Sequence, residues 1–328
     1  MDSVLSCMVS DEIGPGTLST QFVKAVAEYM GIAGGLAFRE QSRALGAALD
    51  VLGLEPGSLV VLSPLSPAYY VTVLLERELE PVYADVDPFT GCLDPSGFEK
   101  LRAVREPAAV LLRYPLGSVP DTEAFHACGI PVIEDISTAF GVDLNGAKAG
   151  SSSKYVILSL EEDGIITTAG GSLFMSSSRG ILSEVKKQAA DKTRSIIMTN
   201  LNAALGIVQI KQVDAFLAKR REIREVFVKS VMKTKHKTIM AEEERDMGPY
   251  SFPVLLKSGV QNTIRYAAKH GIRVIPAFES CAGSVYPLET CECPNAEVFR
   301  LRCVLFPLYP RLGGQNIQLV SRVLSTLP

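Results

Sequence analysis

The stretch "PVIEDISTAFG", residues 131–141, joins an apolar run to two consecutive acids. Val132 and Ile133 do not alternate with polar residues, which is typical of a strand that is covered on both faces. Other short runs of this kind predict strands at 58–63, 81–86, 108–113, 155–159 and 171–176. Because helical patterns separate most of these runs, the sequence predicts an α/β fold with a mainly parallel sheet between helices.

The last third of the chain has a different organisation. Apolar residues at every third or fourth position over about 199–227 predict one long helix, whose length suits a bridge between two domains. Beyond it, helical patterns accompany strands that are predicted at 250–256, 272–278 and 303–308. We therefore predict a large α/β domain over residues 1–215 and a smaller C-terminal α+β domain over residues 216–328.

Composition and charge exclude several classes of protein. The 328 residues include 33 basic and 36 acidic side chains, and the net charge is −3. A nucleic-acid surface would require a clustered basic excess, and none is present in the sequence. The N-terminus has no long apolar run after its acidic second residue, and no stretch approaches the roughly 18 apolar residues of a membrane span. We expect a soluble cytoplasmic protein without nucleic-acid or membrane partners.

The seven cysteines are scattered along the chain and odd in number. This pattern fits a reducing cytosol better than a disulfide framework. Cys281, Cys291, Cys293 and Cys303 are close in sequence, but their spacing matches no common zinc pattern. We predict no metal site.

Seven stretches, taken in order, cover most of the chain: "GTLSTQFVKAVAEYMG", "REQSRALGAALDVLGLEPGSLVVLSPLS", "LEPVYADVDPFTGCLDPSGFEKL", "YPLGSVPDTEAF", "GIPVIEDISTAFGVDLNGAKAG", "LNAALGIVQIKQVDAFLAKRREI" and "LFPLYPRLGGQNIQLVSRVLSTL". Together they resemble the DegT/DnrJ/StrS family of sugar aminotransferases. The resemblance implies the type I fold of transferases that use pyridoxal phosphate (PLP). It also implies a dimer in which the partner subunit completes each site.

A PLP site of this kind needs a lysine for the Schiff base, an aspartate beside the pyridine nitrogen and donors for the phosphate. By resemblance the aspartate corresponds to Asp135, at the strand end where open α/β sheets bind ligands. An equally simple alternative is that Asp135 is the N-cap of a helix that begins in "ISTAF". Where the family usually has Gln or His against the ring, this chain has Thr138.

The phosphate end departs from the family pattern. The family's Gly-Thr pair before the first large-domain helix corresponds to Gln41 and Ser42. Ser42 can still donate a hydroxyl, whereas Gln41 adds a side chain where glycine lets the phosphate approach the backbone. The serine that contacts phosphate ahead of the lysine corresponds to Ser159.

The lysine itself is missing from the segment "LSLEEDGIITTAGGS", residues 158–172. By resemblance its position falls on Asp163 or Gly164, and neither residue can form a Schiff base. Related dehydratases have histidine at this position and work through pyridoxamine phosphate (PMP), and neither residue is histidine. Glu161, Glu162 or Asp163 could act as the base in such a scheme, or the three could simply form a solvated acidic loop.

Other family residues are also absent. Lys148 and Lys154 precede the strand at 155–159, so they are expected at its opposite end. The asparagine and arginine that reach the partner's site correspond to Ser195 and Ile197, and the His-Tyr pair that faces substrate corresponds to Ala277 and Phe278.

We therefore predict a member of this family that lacks transaminase activity and has no catalytic residues of its own. No cofactor is expected; if one binds, it is PLP or PMP, through Asp135, Ser159, Ser42, Gln41 and Thr138. The chain would act as a homodimer or as the partner of an active paralogue. The alternatives are an enzyme acting on nucleotide-linked sugars, by transamination or lysine-free dehydration, and a protein that binds an unrelated small ligand.

Overall fold

A computed structural model describes residues 2–10, 12–190, 194–239, 247–257, 259–287 and 292–328. The strands of the larger sheet are β1 (Gly34–Phe38), β2 (Leu59–Leu62), β3 (Glu80–Tyr83), β4 (Ala109–Arg113), β5 (Val132–Asp135), β8 (Tyr155–Ser159) and β9 (Ser172–Ser176). A hairpin is formed by β6 (Asp143–Leu144) and β7 (Ala147–Lys148). The smaller sheet contains β10 (Lys237–Thr238), β11 (Phe252–Leu255), β12 (Ile275–Pro276) and β13 (Cys303–Phe306).

Helices cover both sheets. Their bounds are α1 (Asp2–Val9), α2 (Thr17–Met30), α3 (Gln41–Leu52), α4 (Ala68–Leu75), α5 (Pro95–Arg102), α6 (Thr122–Ala127), α7 (Arg179–Ala190), α8 (Asn200–Ile210), α9 (Val213–Val231), α10 (Val260–Lys269), α11 (Ala282–Val285), α12 (Pro294–Arg302) and α13 (Gly314–Leu324). Short 3₁₀ turns occur at Pro115–Gly117 and Arg194–Ile196.

The larger sheet has the strand order β1-β9-β8-β5-β4-β2-β3. Neighbouring strands from β8 to β3 are parallel, and β9 is antiparallel to both β8 and β1. All six strands that the sequence predicts for this region are present, which confirms the mainly parallel α/β fold. The sequence-based prediction missed β1, because "GGLAF" is short and begins with two glycines. A Cβ at Gly35 would collide with Met175 Sδ and Phe174 O on β9, so the pairing requires glycine there.

The smaller sheet is antiparallel, with the order β10-β11-β13-β12. Its strands β11, β12 and β13 lie within the three segments that the sequence predicts. A separate apolar cluster covers it, to which Phe252, Val304 and Phe306 contribute.

The predicted long helix over 199–227 is in fact two helices, α8 and α9, with a break at Lys211 and Gln212. The periodicity continues across the break because both helices bury apolar residues. The first part of α9 contributes Val213 and Leu217 to the core that contains α2, and its later turns contribute Phe227 to the core of the smaller sheet. The predicted domain boundary between residues 215 and 216 falls inside α9 and stays a prediction.

The parallel strands end at one edge of the larger sheet, and that edge positions the candidate site. Arg113, Asp135 and Ser159 are the last residues of β4, β5 and β8. Among the described residues, no helix combines the length and apolar character that a bilayer crossing needs.

Candidate functional site

Asp135 lies at the centre of this edge and is 3% exposed. Three donors from the protein already bind its carboxylate. The Tyr70 hydroxyl donates to Oδ2, and the Ser137 amide, at 2.9 Å, and the Ser137 hydroxyl both donate to Oδ1. These donors occupy three of the about four lone-pair sites of the carboxylate, so little of it is left for a pyridine nitrogen.

The alternative role of Asp135 as a helix N-cap is wrong. Residues 136–141 form turns rather than a helix. The bond from the Ser137 amide, two residues further on, is the one by which an aspartate stabilises a turn. The apolar side chains Ile136, Ala139 and Phe140 of this turn all enter one core cluster.

Ser159 and Gln41 meet at the phosphate end of the expected cofactor site. The Gln41 amide nitrogen Nε2 donates to Ser159 Oγ at 3.1 Å, and the Ser159 amide donates to Ser137 Oγ at 2.7 Å. Gln41 is the first residue of α3, and N–H groups of a first helical turn are the usual donors to a phosphate. The Gln41 side chain instead joins α3 directly to β8.

The two remaining predicted cofactor contacts have other surroundings. Ser42 lines a cavity of about 150 Å³ between α3 and α7. Thr138 is buried, and its hydroxyl donates to Tyr114 O and accepts from Gly117 N at 3.1 Å. The structure thus joins Gln41, Ser159 and Asp135 in one hydrogen-bonded chain and places Ser42 and Thr138 outside it.

The expected lysine position is occupied by an acid that already has a partner. The Tyr250 hydroxyl donates to Asp163 Oδ2 at 2.6 Å. Burial, and then the charge of Asp163, raise the pKa of Tyr250. At Gly164, a Cβ would lie 2.5 Å from Ile166 O, so this position does not accept a side chain without a backbone shift.

The neighbouring acids and lysines do not replace the missing amine. Glu161 Oε1 accepts a 3.4 Å bond from the Gly171 amide, and Glu162 is exposed. Lys148 Nζ donates to Gly141 O at 3.3 Å. Lys154 directly precedes β8, so the length of the strand, about 16 Å, separates it from the edge that carries Asp135.

Arg113 is a residue of this edge that the sequence-based prediction missed. It is the in-register neighbour of Asp135. Burial raises the pKa values of Tyr69, Tyr70 and Tyr250, and the positive charge of Arg113 opposes that rise at all three hydroxyls. A sequence signal does exist, because an arginine ends the otherwise apolar run "AAVLLR".

The positions that correspond to the family's partner and substrate contacts are structural here. Ile197 forms a β-bridge with Phe38, and Ser195 lines a surface cavity of about 630 Å³. Phe278 is buried, and its ring packs edge-on against Phe299 at a centroid distance of 6.3 Å.

The family model described as "DegT/DnrJ/EryC1/StrS aminotransferase family" matches residues 1–325. The chain belongs to this family. Its members are PLP-dependent, and the type I fold expected from the resemblance is confirmed. The structure is similar to that of the aminotransferase TlmJ from Streptoalloteichus hindustanus, with a TM-score of 0.91 and 20% identity over 99% of this chain and 94% of that one.

Two relatives of this chain have names that describe enzymes acting on sugars. A GDP-perosamine synthase of Caulobacter vibrioides is 29% identical over 239 residues, which cover 68% of this chain and 64% of that protein's length. A dTDP-4-dehydro-2,3,6-trideoxy-D-glucose 4-aminotransferase of Saccharopolyspora spinosa is 23% identical and covers 98% of this chain and 92% of its own length.

The residues at the site of this family member do not fit PLP. The aspartate expected at the pyridine nitrogen is bound by Tyr70. At the expected phosphate end the Gln41 side chain bonds Ser159, and the residues that correspond to the lysine by resemblance are Asp163 and Gly164. Each of the three groups that the cofactor needs is absent or engaged within the protein.

Proposed function

We propose that this chain is a non-catalytic member of its family, which keeps the aminotransferase fold without transamination. The observation that supports the proposal is the Tyr250–Asp163 hydrogen bond at one of the two residues that correspond to the Schiff-base lysine by resemblance. Transamination needs an amine at this position, both to hold PLP and to move protons on the substrate carbon. A carboxylate cannot hold PLP as a Schiff base, so it cannot perform both tasks.

The free energy of PLP binding supports the same proposal. Without a covalent bond, a charge-assisted hydrogen bond from the pyridine N–H to Asp135 would contribute about 1.5–3 kcal/mol. Micromolar binding requires about 8 kcal/mol. The phosphate would have to supply most of the difference, and Gln41 occupies that end of the site.

A family member that catalyses no reaction can still act by binding another subunit. We propose a cytoplasmic homodimer, or a heterodimer in which this chain accompanies an active paralogue. Co-expression with such a paralogue tests the second form: a mixed dimer supports it, and strict homodimers count against it.

The second candidate is an enzyme that acts on a nucleotide-linked sugar. The names of the relatives and the place of Asp135 at the ligand-binding edge favour it. In this case PLP or PMP would contact the predicted residues Gln41, Ser42, Asp135, Thr138 and Ser159, and an acid of the loop would serve as base in a dehydration.

One experiment separates the non-catalytic candidate from an enzyme that forms a Schiff base with PLP; the lysine-free dehydratase is tested by whether the purified protein takes up PMP. Purified protein is incubated with PLP, reduced with borohydride and analysed by mass spectrometry, with an active member of the family as positive control. We expect a pyridoxyl adduct on the control and none near the site of this chain. A PLP absorbance band together with an adduct at the cleft would instead establish the enzyme.

A further inference from the structure

We propose that Arg113 anchors a small carboxylate-bearing ligand at the carboxyl edge of the larger sheet. The site does not depend on PLP, and it goes beyond the proposed loss of catalysis. It rests on the hydrogen-bonding state of one guanidinium and on the groups around it.

The Arg113 guanidinium has unused donors. Nη1 donates to Leu65 O at 3.2 Å, and Nε is buried without a hydrogen-bond partner. A buried donor without a partner destabilises the folded protein, and more so when the group is charged. Because Nη1 is used, the free edge is the one formed by Nε–H and Nη2–H, which point the same way. This edge is the fork that binds the two oxygens of a carboxylate.

No acid of the described chain forms an ion pair with Arg113. Its strand neighbour Asp135 is turned to Tyr70 and Ser137 instead. Within the described ranges, no carboxylate oxygen lies within 4 Å of the Arg113 guanidinium. A partly buried cation of this kind is stabilised when an anion binds it.

Solvent reaches three side chains at this edge. Arg113, Tyr69 and Tyr250 are each partly exposed. The rings of Tyr69 and Tyr70 pack edge to face at a centroid distance of 4.9 Å. Aromatic surfaces beside a cation suit a small organic acid, since the rings contact its carbon atoms while the guanidinium binds its charge.

Charge selects a carboxylate rather than a phosphate. A single guanidinium fork balances one negative charge, and Asp135 next to it disfavours a second. The N-terminus of α3, the nearest element suited to a phosphate, is closed by Gln41.

The test is a titration of the cofactor-free protein, labelled with [15N]arginine, with succinate, succinamide and inorganic phosphate. We expect the Nε–H signal of Arg113 to shift saturably with succinate and to be unmoved by succinamide. Arg113→Lys keeps the charge without the fork and should weaken succinate binding at least tenfold. The exposed Arg311→Lys is the matched control and should bind as the unaltered protein does.

Other outcomes overturn the site. The first is that Arg113→Lys binds succinate as tightly as the unaltered protein does. The second is that no arginine Nε–H signal shifts at saturating succinate. The third is that phosphate binds more tightly than succinate. Circular dichroism verifies folding of the variant, and Arg113→Gln is the second choice. If neither variant folds, the comparison of succinate with succinamide on the unaltered protein decides. Because PLP is absent throughout, the result is independent of the borohydride experiment.

Discussion

The Tyr250 hydroxyl donates a 2.6 Å hydrogen bond to Asp163, joining the loop after β8 to the segment before β11. The backbone of Tyr250 is fixed as well, because its carbonyl accepts a hydrogen bond from the buried Arg220 of α9. Asp163, one of the two residues expected at the lysine position, is therefore part of a contact between segments that flank the two sheets.

Asp163→Lys should not produce transaminase activity. The new amine would lose the Tyr250 bond and would still face a site whose phosphate end is closed by Gln41. The half-reaction with PLP and glutamate, followed by absorbance, measures the outcome. Glu162→Lys, at an exposed neighbouring position, is the control for added charge.

Gly164→Lys should be inactive and also destabilised. Its Cβ would lie 2.5 Å from Ile166 O, so the backbone must shift, and we expect a loss of about 1–3 kcal/mol in the free energy of unfolding. Urea denaturation measures this loss. Turnover by this variant or by Asp163→Lys would show that only one residue separates the chain from activity.

Gln41→Gly should increase affinity for inorganic phosphate and for PLP. The substitution removes a side-chain bond worth about 1 kcal/mol and frees the start of α3, so an increase of about fivefold is expected. Calorimetric titration measures the affinity. Gln41→Glu keeps the size and adds a negative charge, and it should bind no better than the unaltered protein; equal gains in both variants would contradict the role of the amide.

The pair of His126 and Glu134 should make stability depend on pH. The hydrogen bond to the buried Glu134 carboxylate, at 2.7 Å, is the main cause of the raised pKa of His126. A pKa that is higher in the folded state stabilises the protein fully below the unfolded value, near 6.5, and this contribution is lost as the pH rises through the folded value. Urea unfolding of His126→Gln should therefore differ most from the unaltered protein at low pH.

The control for this pH effect is His270→Gln, because His270 is the exposed C-cap residue of α10. It should leave the pH dependence unchanged. Glu134 also accepts bonds from Tyr114, at 2.6 Å, and Ser153, so the carboxylate keeps partners when His126 is removed. A difference that grew with rising pH would contradict the assigned direction of the pKa shift.

Gly206→Ala should destabilise the contact between α2 and α8. A Cβ at Gly206 would lie 2.5 Å from Phe22 Cε2, and Phe22 is fully buried, so we expect a loss of about 1–3 kcal/mol. Gly180→Ala, whose Cβ would meet nothing closer than 3.8 Å, is the matched helical control. It should be neutral or stabilising by up to about 1 kcal/mol.

Local patterns predicted six of the seven strands of the larger sheet, all except β1. Unbroken apolar runs such as "VVL" and "VLL" are typical of strands that are covered on both faces, so the sequence predicts their environment. The position of Asp135 at a strand end followed from the same reasoning. The absence of lysine between Lys154 and Lys186 is likewise visible in the sequence.

The sequence by itself determined the fold class, the family resemblance and the absence of an amine at residues 163 and 164. Only the tertiary structure decided what replaced the cofactor groups. The bonds Gln41–Ser159, Tyr70–Asp135 and Tyr250–Asp163 join residues that are 118, 65 and 87 positions apart. The donors left unused on Arg113 were equally invisible, because whether a polar group is satisfied depends on which distant segments fold against it.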